Sequence, residues 1–129
     1  MKLTKNFSLK EFACHDGSVT PKDVVLRLQK VAIQLQVLRD FLEKPININS
    51  GYRSPSHNAS IGGVKNSQHV LGNASDITVK GLTPEEVKEA LEMLISSGHI
   101  LQGGIGIYNS FVHFDIGYNG KKRRWDNRS

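Results

Sequence analysis

Three side chains spread along the 129-residue sequence have the types that a hydrolytic metal site needs: His69, Asp76 and His113. His69 and Asp76 are separated by VLGNAS, where Gly72 and the small Ala74 let the chain turn back tightly and bring the pair together. In FVHFD, strand alternation sets Phe111, His113 and Asp115 on one face, while Val112, Phe114 and Ile116 take the other. His113 and Asp115 then project together, with Cα atoms about 6.5–7 Å apart. The competing explanation is the polar, solvent-facing side of an edge strand. Two imidazoles and one carboxylate make a three-ligand set for one zinc ion and leave a fourth position for water, the pattern of a catalytic site. The sequence contains no HExxH helix motif, which excludes a thermolysin-like peptidase.

The remaining chemistry-bearing residues read more plainly. Cys14-His15-Asp16 has no partner cluster nearby in the sequence and reads as a small turn before Gly17. His57 lies in a long loop near the expected cleft, where it is a candidate for substrate contact. His99 follows Gly98 just past a helix end, a position where a cation suits the helix dipole. Trp125 reads as a packing anchor for the C-terminus.

The elements that must position these residues follow from periodicity. Val24, Leu28, Val31, Leu35, Leu38 and Leu42 recur in steps of three and four, one helical stripe suited to core packing. Thr20 is the expected N-cap, Pro21 the first helical residue, and Lys44-Pro45 the stop. Ile46 to Asn49 alternates like a short strand, and Asp76 to Val79 reads as a second. Between them, Tyr52 to Ala74 has no steady period and reads as one long functional loop. Thr83-Pro84-Glu85-Glu86 is a capping-box start for a helix that runs to about Ser96. Gly103 to Tyr108 and Phe111 to Ile116 read as adjacent strands of one sheet. The expectation is a single α+β domain over residues 1–129, a small antiparallel sheet packed on helices with a long loop at the metal site.

Composition narrows the class. Hydrophobic residues are 38% and charged residues 22%, which suits a globular domain, and one cysteine excludes a disulfide framework or a cysteine-rich zinc module. No apolar run approaches the roughly 18 residues of a membrane span, and the start lacks the apolar stretch of a secretory signal, so neither membrane insertion nor standard export is expected. The net charge of +5 is concentrated at the end: residues 121–129 carry +4 and the rest only +1. With few aromatics and no basic face interleaved with them, a nucleic-acid partner is not expected. The tail reads as a solvated terminus, with a patch for an anionic surface as the alternative.

The segments SGYRSPSHN, GGVKNSQHVLGNASD, GGIGIY and FVHFDIG, with NFSLKEFACHDG before and RRW after them, resemble the zinc D-Ala-D-Ala carboxypeptidase family of peptidoglycan peptidases. That family shares its fold core with the hedgehog signalling domain. The most specific piece is Ser-x-His-x-x-Gly-x-Ala-x-Asp, here Ser67, His69, Gly72, Ala74 and Asp76. The resemblance implies that His69, Asp76 and His113 bind zinc, that Arg53 faces substrate and stabilises negative charge, and that Ser67 contacts substrate or braces the loop. It also implies a peptidoglycan stem peptide as substrate, and a small stand-alone enzyme like the wall-lysis proteins of phages, taken to be a monomer. One departure stands out: many relatives carry a catalytic carboxylate three residues before the last histidine ligand, where this sequence has Ser110. Asp115 is then the nearest candidate for the general base, and its alternative role is to orient His113 or pair with Arg123 or Arg124. The departure also permits a zinc-binding but inactive wall-binding module.

Overall fold

The computed structural model describes all of residues 1–129. Its helices are α1 (Leu9–Phe12), α2 (Lys22–Leu42), α3 (Pro55–Ser60), α4 (Gln68–Leu71) and α5 (Pro84–Ser96). Its strands are β1 (Ile46–Ser50), β2 (Ala74–Val79), β3 (Gly104–Ile107), β4 (Val112–Asp115) and β5 (Arg123–Asp126), joined in one sheet in the order β1-β2-β4-β3-β5. Every pairing is antiparallel except β3 with β5, which is parallel.

The apolar stripe of α2 packs Leu28, Val31, Leu35 and Leu38 without exposed surface. Opposite it lie Ile77, Ile105, Val112 and Phe114 of the sheet, with Val87 and Leu91 of α5 and with Phe7 and Phe12 from the N-terminal segment. Each such side chain contributes about 1.5–3 kcal/mol by leaving water. α5 starts as its sequence dictates: the Thr83 side chain accepts from Glu86 N at 3.2 Å and Glu86 Oε1 accepts from Thr83 N at 2.9 Å. The outcome is an α+β domain whose buried helix-facing side leaves the opposite face of the sheet free for chemistry. No helix is long and apolar enough to cross a membrane.

Four expectations need correction. Pro21 is the N-cap rather than the first helical residue: its backbone is extended (ψ 151°), and its carbonyl accepts the first helical bond from Val25 N at 3.0 Å. The 52–74 segment holds α3 and α4, each too short to show a period and each capped by a serine, Ser54 or Ser67. The sheet is mixed rather than wholly antiparallel, because the C-terminal segment is a fifth strand. That segment is no solvated tail. Arg123 bonds Asp115, Arg124 bonds Glu92 at 2.8 and 2.7 Å, and Arg128 bonds Asp126 at 2.7 Å. Lys121, Lys122 and Arg128 are the tail cations that remain exposed, and of these only Arg128 is ion-paired.

Candidate active site

Strand register builds the first half of the site. Asp76 of β2 lies directly across from His113 of β4, so a carboxylate and an imidazole stand side by side on the sheet face away from the core. His69 arrives from α4. Ser67 caps that helix by accepting from His69 N at 3.1 Å, and Gly72 closes it at φ 80°, donating to His69 O at 3.2 Å. The single turn of helix between a serine cap and a glycine stop aims the His69 ring at Asp76.

The three donors converge. His69 Nε2 and His113 Nδ1 are each 3.1 Å from Asp76 Oδ1, all three side chains are buried, and their ligand atoms lie within 4.8 Å of one another. The outer atom of each is also held. His69 Nδ1 donates to Gly51 O at 2.7 Å, His113 Nε2 donates to Asp115 Oδ2 at 2.7 Å, and Asp76 Oδ2 accepts from Arg53 Nη2 at 3.3 Å. The Gly51 carbonyl and the Asp115 carboxylate only accept, so they place the ring protons outward and leave the inner nitrogens as lone pairs. Two inward imidazole nitrogens and one carboxylate oxygen, each with a fixed outer partner, fit a divalent ion such as zinc.

Burial opposes the charge on Asp76, but hydrogen bonds from His113 and His69 outweigh it and hold its carboxyl well below the ordinary range. For His113 burial again opposes charge, and hydrogen bonds to Asp115 and Asp76 win, raising its pKa. The site is therefore built to hold positive charge at its centre.

Asp115 lies at the cleft lining with its carboxylate engaged on every side. Its side chain has 0% exposure. Besides His113, its carboxylate accepts from Arg123, from Gly104 N at 3.3 Å and from Gly117 N at 3.1 Å. Burial opposes its ionisation, yet His113 and Arg123 keep its carboxyl below the usual range. Ser110 lies in the exposed turn between β3 and β4, outside the residues that line the cleft.

Arg53 stands beside the metal ligands. Its guanidinium donates to Asp76, to Asn58 Oδ1 at 3.3 Å and to Ser50 Oγ at 3.2 Å, which leaves two of its five N–H groups unassigned. Asn58 in turn donates to Val64 O at 2.8 Å, tying Arg53 to the 62–66 turn on the cleft rim. Ser67 is buried as a helix cap and lines the cleft. His57 is not among the lining residues; it stands on α3 beside Cys14 and Asp16.

The cleft above the ligands has a volume of about 580 Å³. One wall is aromatic: Tyr108 stacks on Phe111 at 4.4 Å, Arg123 lies over Tyr118 at 4.6 Å, and Trp125 sits 5.1 Å from the His113 ring. Trp125 and Arg123 reach β4 across β3 because Gly106 and Gly104 clear that face of the strand: a Cβ at Gly106 would overlap the Trp125 indole, and one at Gly104 would crowd Asp115 and Arg123. The GIGI alternation is the sequence signal for this wall, since a glycine on every second strand position means that something else fills the space. The signal points to β5, an element with no period of its own in the sequence.

The peptidase M15 profile matches residues 5–115. A 45-residue stretch, 34% of this chain, is 42% identical to the zinc D-Ala-D-Ala carboxypeptidase of Streptomyces albus G and covers 18% of that protein. Over 79 residues, 56% of the chain, it is 38% identical to the probable peptidoglycan L,D-endopeptidase MepK of Haemophilus influenzae, covering 39% of it. Over 81 residues, 57% of the chain, it is 32% identical to the peptidoglycan L,D-endopeptidase MepK of Escherichia coli, covering 41%. The chain thus spans less than half the length of each of these curated relatives. With the profile covering most of its length, and with two histidines and an aspartate gathered for a metal ion, the chain belongs to the peptidase M15 family.

Proposed function

We propose that this chain is a zinc peptidase that hydrolyses peptide bonds in the stem peptides of bacterial peptidoglycan. The observation that carries the reading is the buried trio His69, Asp76 and His113, with every outer atom fixed by its own partner at the floor of a cleft. A divalent ion in a three-ligand site of this kind supplies Lewis-acid polarisation of a carbonyl and activation of a water. The chain's residues do the rest. Arg53 directs its two free N–H groups at a substrate carboxylate or at the oxyanion that develops on the scissile carbonyl. Asp115 and Gly51 hold the two imidazoles in the ligating tautomer, which makes Asp115 a positioning residue. Ser67 fixes α4 and thereby His69. The aromatic wall covers the apolar part of the peptide and excludes water.

A second reading is favoured by one observation. Asp76 and Asp115 are the two carboxylates lining the cleft, and both are fully engaged, which suits a module that binds metal and wall without turnover. Mass spectrometry of stem peptides after incubation of purified sacculi with zinc-loaded protein separates the two. Hydrolysis gives stems shortened at a D-Ala or an L,D bond, and identifies which. Unaltered stems, with protein sedimenting on the sacculi, would replace the enzyme by the binding module.

A further inference from the structure

A second cluster of metal-binding side chains lies outside the cleft. Cys14 and Asp16, on the turn after α1, meet His57 of α3, and their ligand atoms lie within 4.8 Å of one another. Forty-two residues separate Cys14 from His57, so the sequence gives no sign of the meeting. The three differ in burial: Cys14 is buried, His57 is half-buried and Asp16 is exposed. Ser54 organises them. Its N–H donates to Cys14 Sγ at 3.3 Å, and its hydroxyl donates to Asp16 Oδ2 at 2.7 Å while accepting from His57 N at 3.1 Å. A backbone N–H on the sulfur and a hydroxyl on the carboxylate are the outer-sphere bonds that orient metal ligands and favour their charged forms. The His15 ring, 6.2 Å from that of His57, is the nearest further imidazole.

The geometry points to a second, structural metal site formed by Cys14, Asp16 and His57, taking zinc or another thiophilic divalent ion. One thiolate, one carboxylate and one neutral imidazole balance a dication, and this mixed sulfur, nitrogen and oxygen set suits zinc over magnesium or calcium. Hydrogen bonds from Ser18 and then Ser54 keep the Asp16 carboxyl well below the ordinary range, so the oxygen donor is available at any working pH. An ion there clamps the 14–16 turn to α3, which begins two residues after Arg53, and so steadies the residue that faces the cleft. The inference stands apart from the peptidase reading, because none of its ligands lines the cleft.

Cobalt tests it, since the cleft site contains no sulfur. Metal-stripped protein titrated with Co2+ under argon should bind two equivalents, and one of them should bring a thiolate-to-cobalt charge-transfer band in the near ultraviolet. The band should vanish in Cys14→Ser and persist in His69→Ala. His57→Ala changes a half-buried helix position and so keeps the fold; it should weaken the banded site at least tenfold. The second equivalent should also raise the Tm, as any ligand that binds only the folded state does. No charge-transfer band at two equivalents, or a His57→Ala protein with unchanged affinity for the banded ion, would overturn the site.

Discussion

At Asp115 the partners of one carboxylate separate two roles that strand alternation alone leaves together. A general base must meet a water in the cleft, whereas this carboxylate is buried between His113, Arg123 and two backbone N–H groups. Asp115→Asn should therefore act through His113. Metal affinity should fall by about 10–100-fold, the usual effect of losing an outer partner of a ligating histidine. Turnover should return when zinc is saturating. Zinc titration followed by activity checks this, and a fully loaded Asp115→Asn protein without turnover would make Asp115 catalytic instead. At this scale the sequence was readable where the signal was local. His69 and Asp76 flank a short glycine-containing turn, and His113 declares its face by alternation. The fate of Asp115 was not readable, because its decisive partner, Arg123, comes from a segment whose charge suggested a free tail.

Elements extend the same lesson. α2 and α5 were legible because a 21-residue stripe and a capping box are strong, repetitive signals. α1, α3 and α4 were not, because four to six residues show no period and are fixed by tertiary contacts. β5 was missed for a different reason: its four residues include two arginines and an aspartate, and its place is set by β3, whose Gly104 and Gly106 leave room for Arg123 and Trp125. Gly106→Ala tests that fit. A methyl group there occupies the space of the Trp125 indole, so the ring should swing into water. The expected outcome is a red-shifted emission from the chain's one tryptophan, with a loss of about 1–3 kcal/mol of stability typical of overpacking. Unchanged fluorescence and Tm would show that β5 does not depend on the glycine face.

For the whole molecule, the positive balance of the sequence takes on a specific meaning. Tail arginines pair with Asp115, Glu92 and Asp126, so the charge closes the sheet and supports the metal site rather than forming a surface for polyanions. Paired titratable groups also make stability depend on pH. Asp76 and Asp115 have folded pKa values below their unfolded ones, near 3.9, so their contribution is present above about pH 4 and is lost as pH falls through their folded values. His113 is raised in the fold, so its contribution is complete below about pH 6.5 and is lost as pH rises through its folded value. Metal-stripped protein should therefore have its highest Tm between about pH 4 and 6.5, and added zinc should remove the decline on the alkaline side. A thermal-unfolding series with and without chelator checks both limbs. The central claim, that His69, Asp76 and His113 hold the ion on which hydrolysis depends, is tested most directly by following new amino groups released from purified sacculi as zinc is returned to metal-stripped protein. The account expects no release without metal, a rise to a plateau as zinc binds, and none at any zinc concentration for His113→Ala. Cleavage that survives the chelator, or a fully loaded cleft that releases no amine, would contradict it.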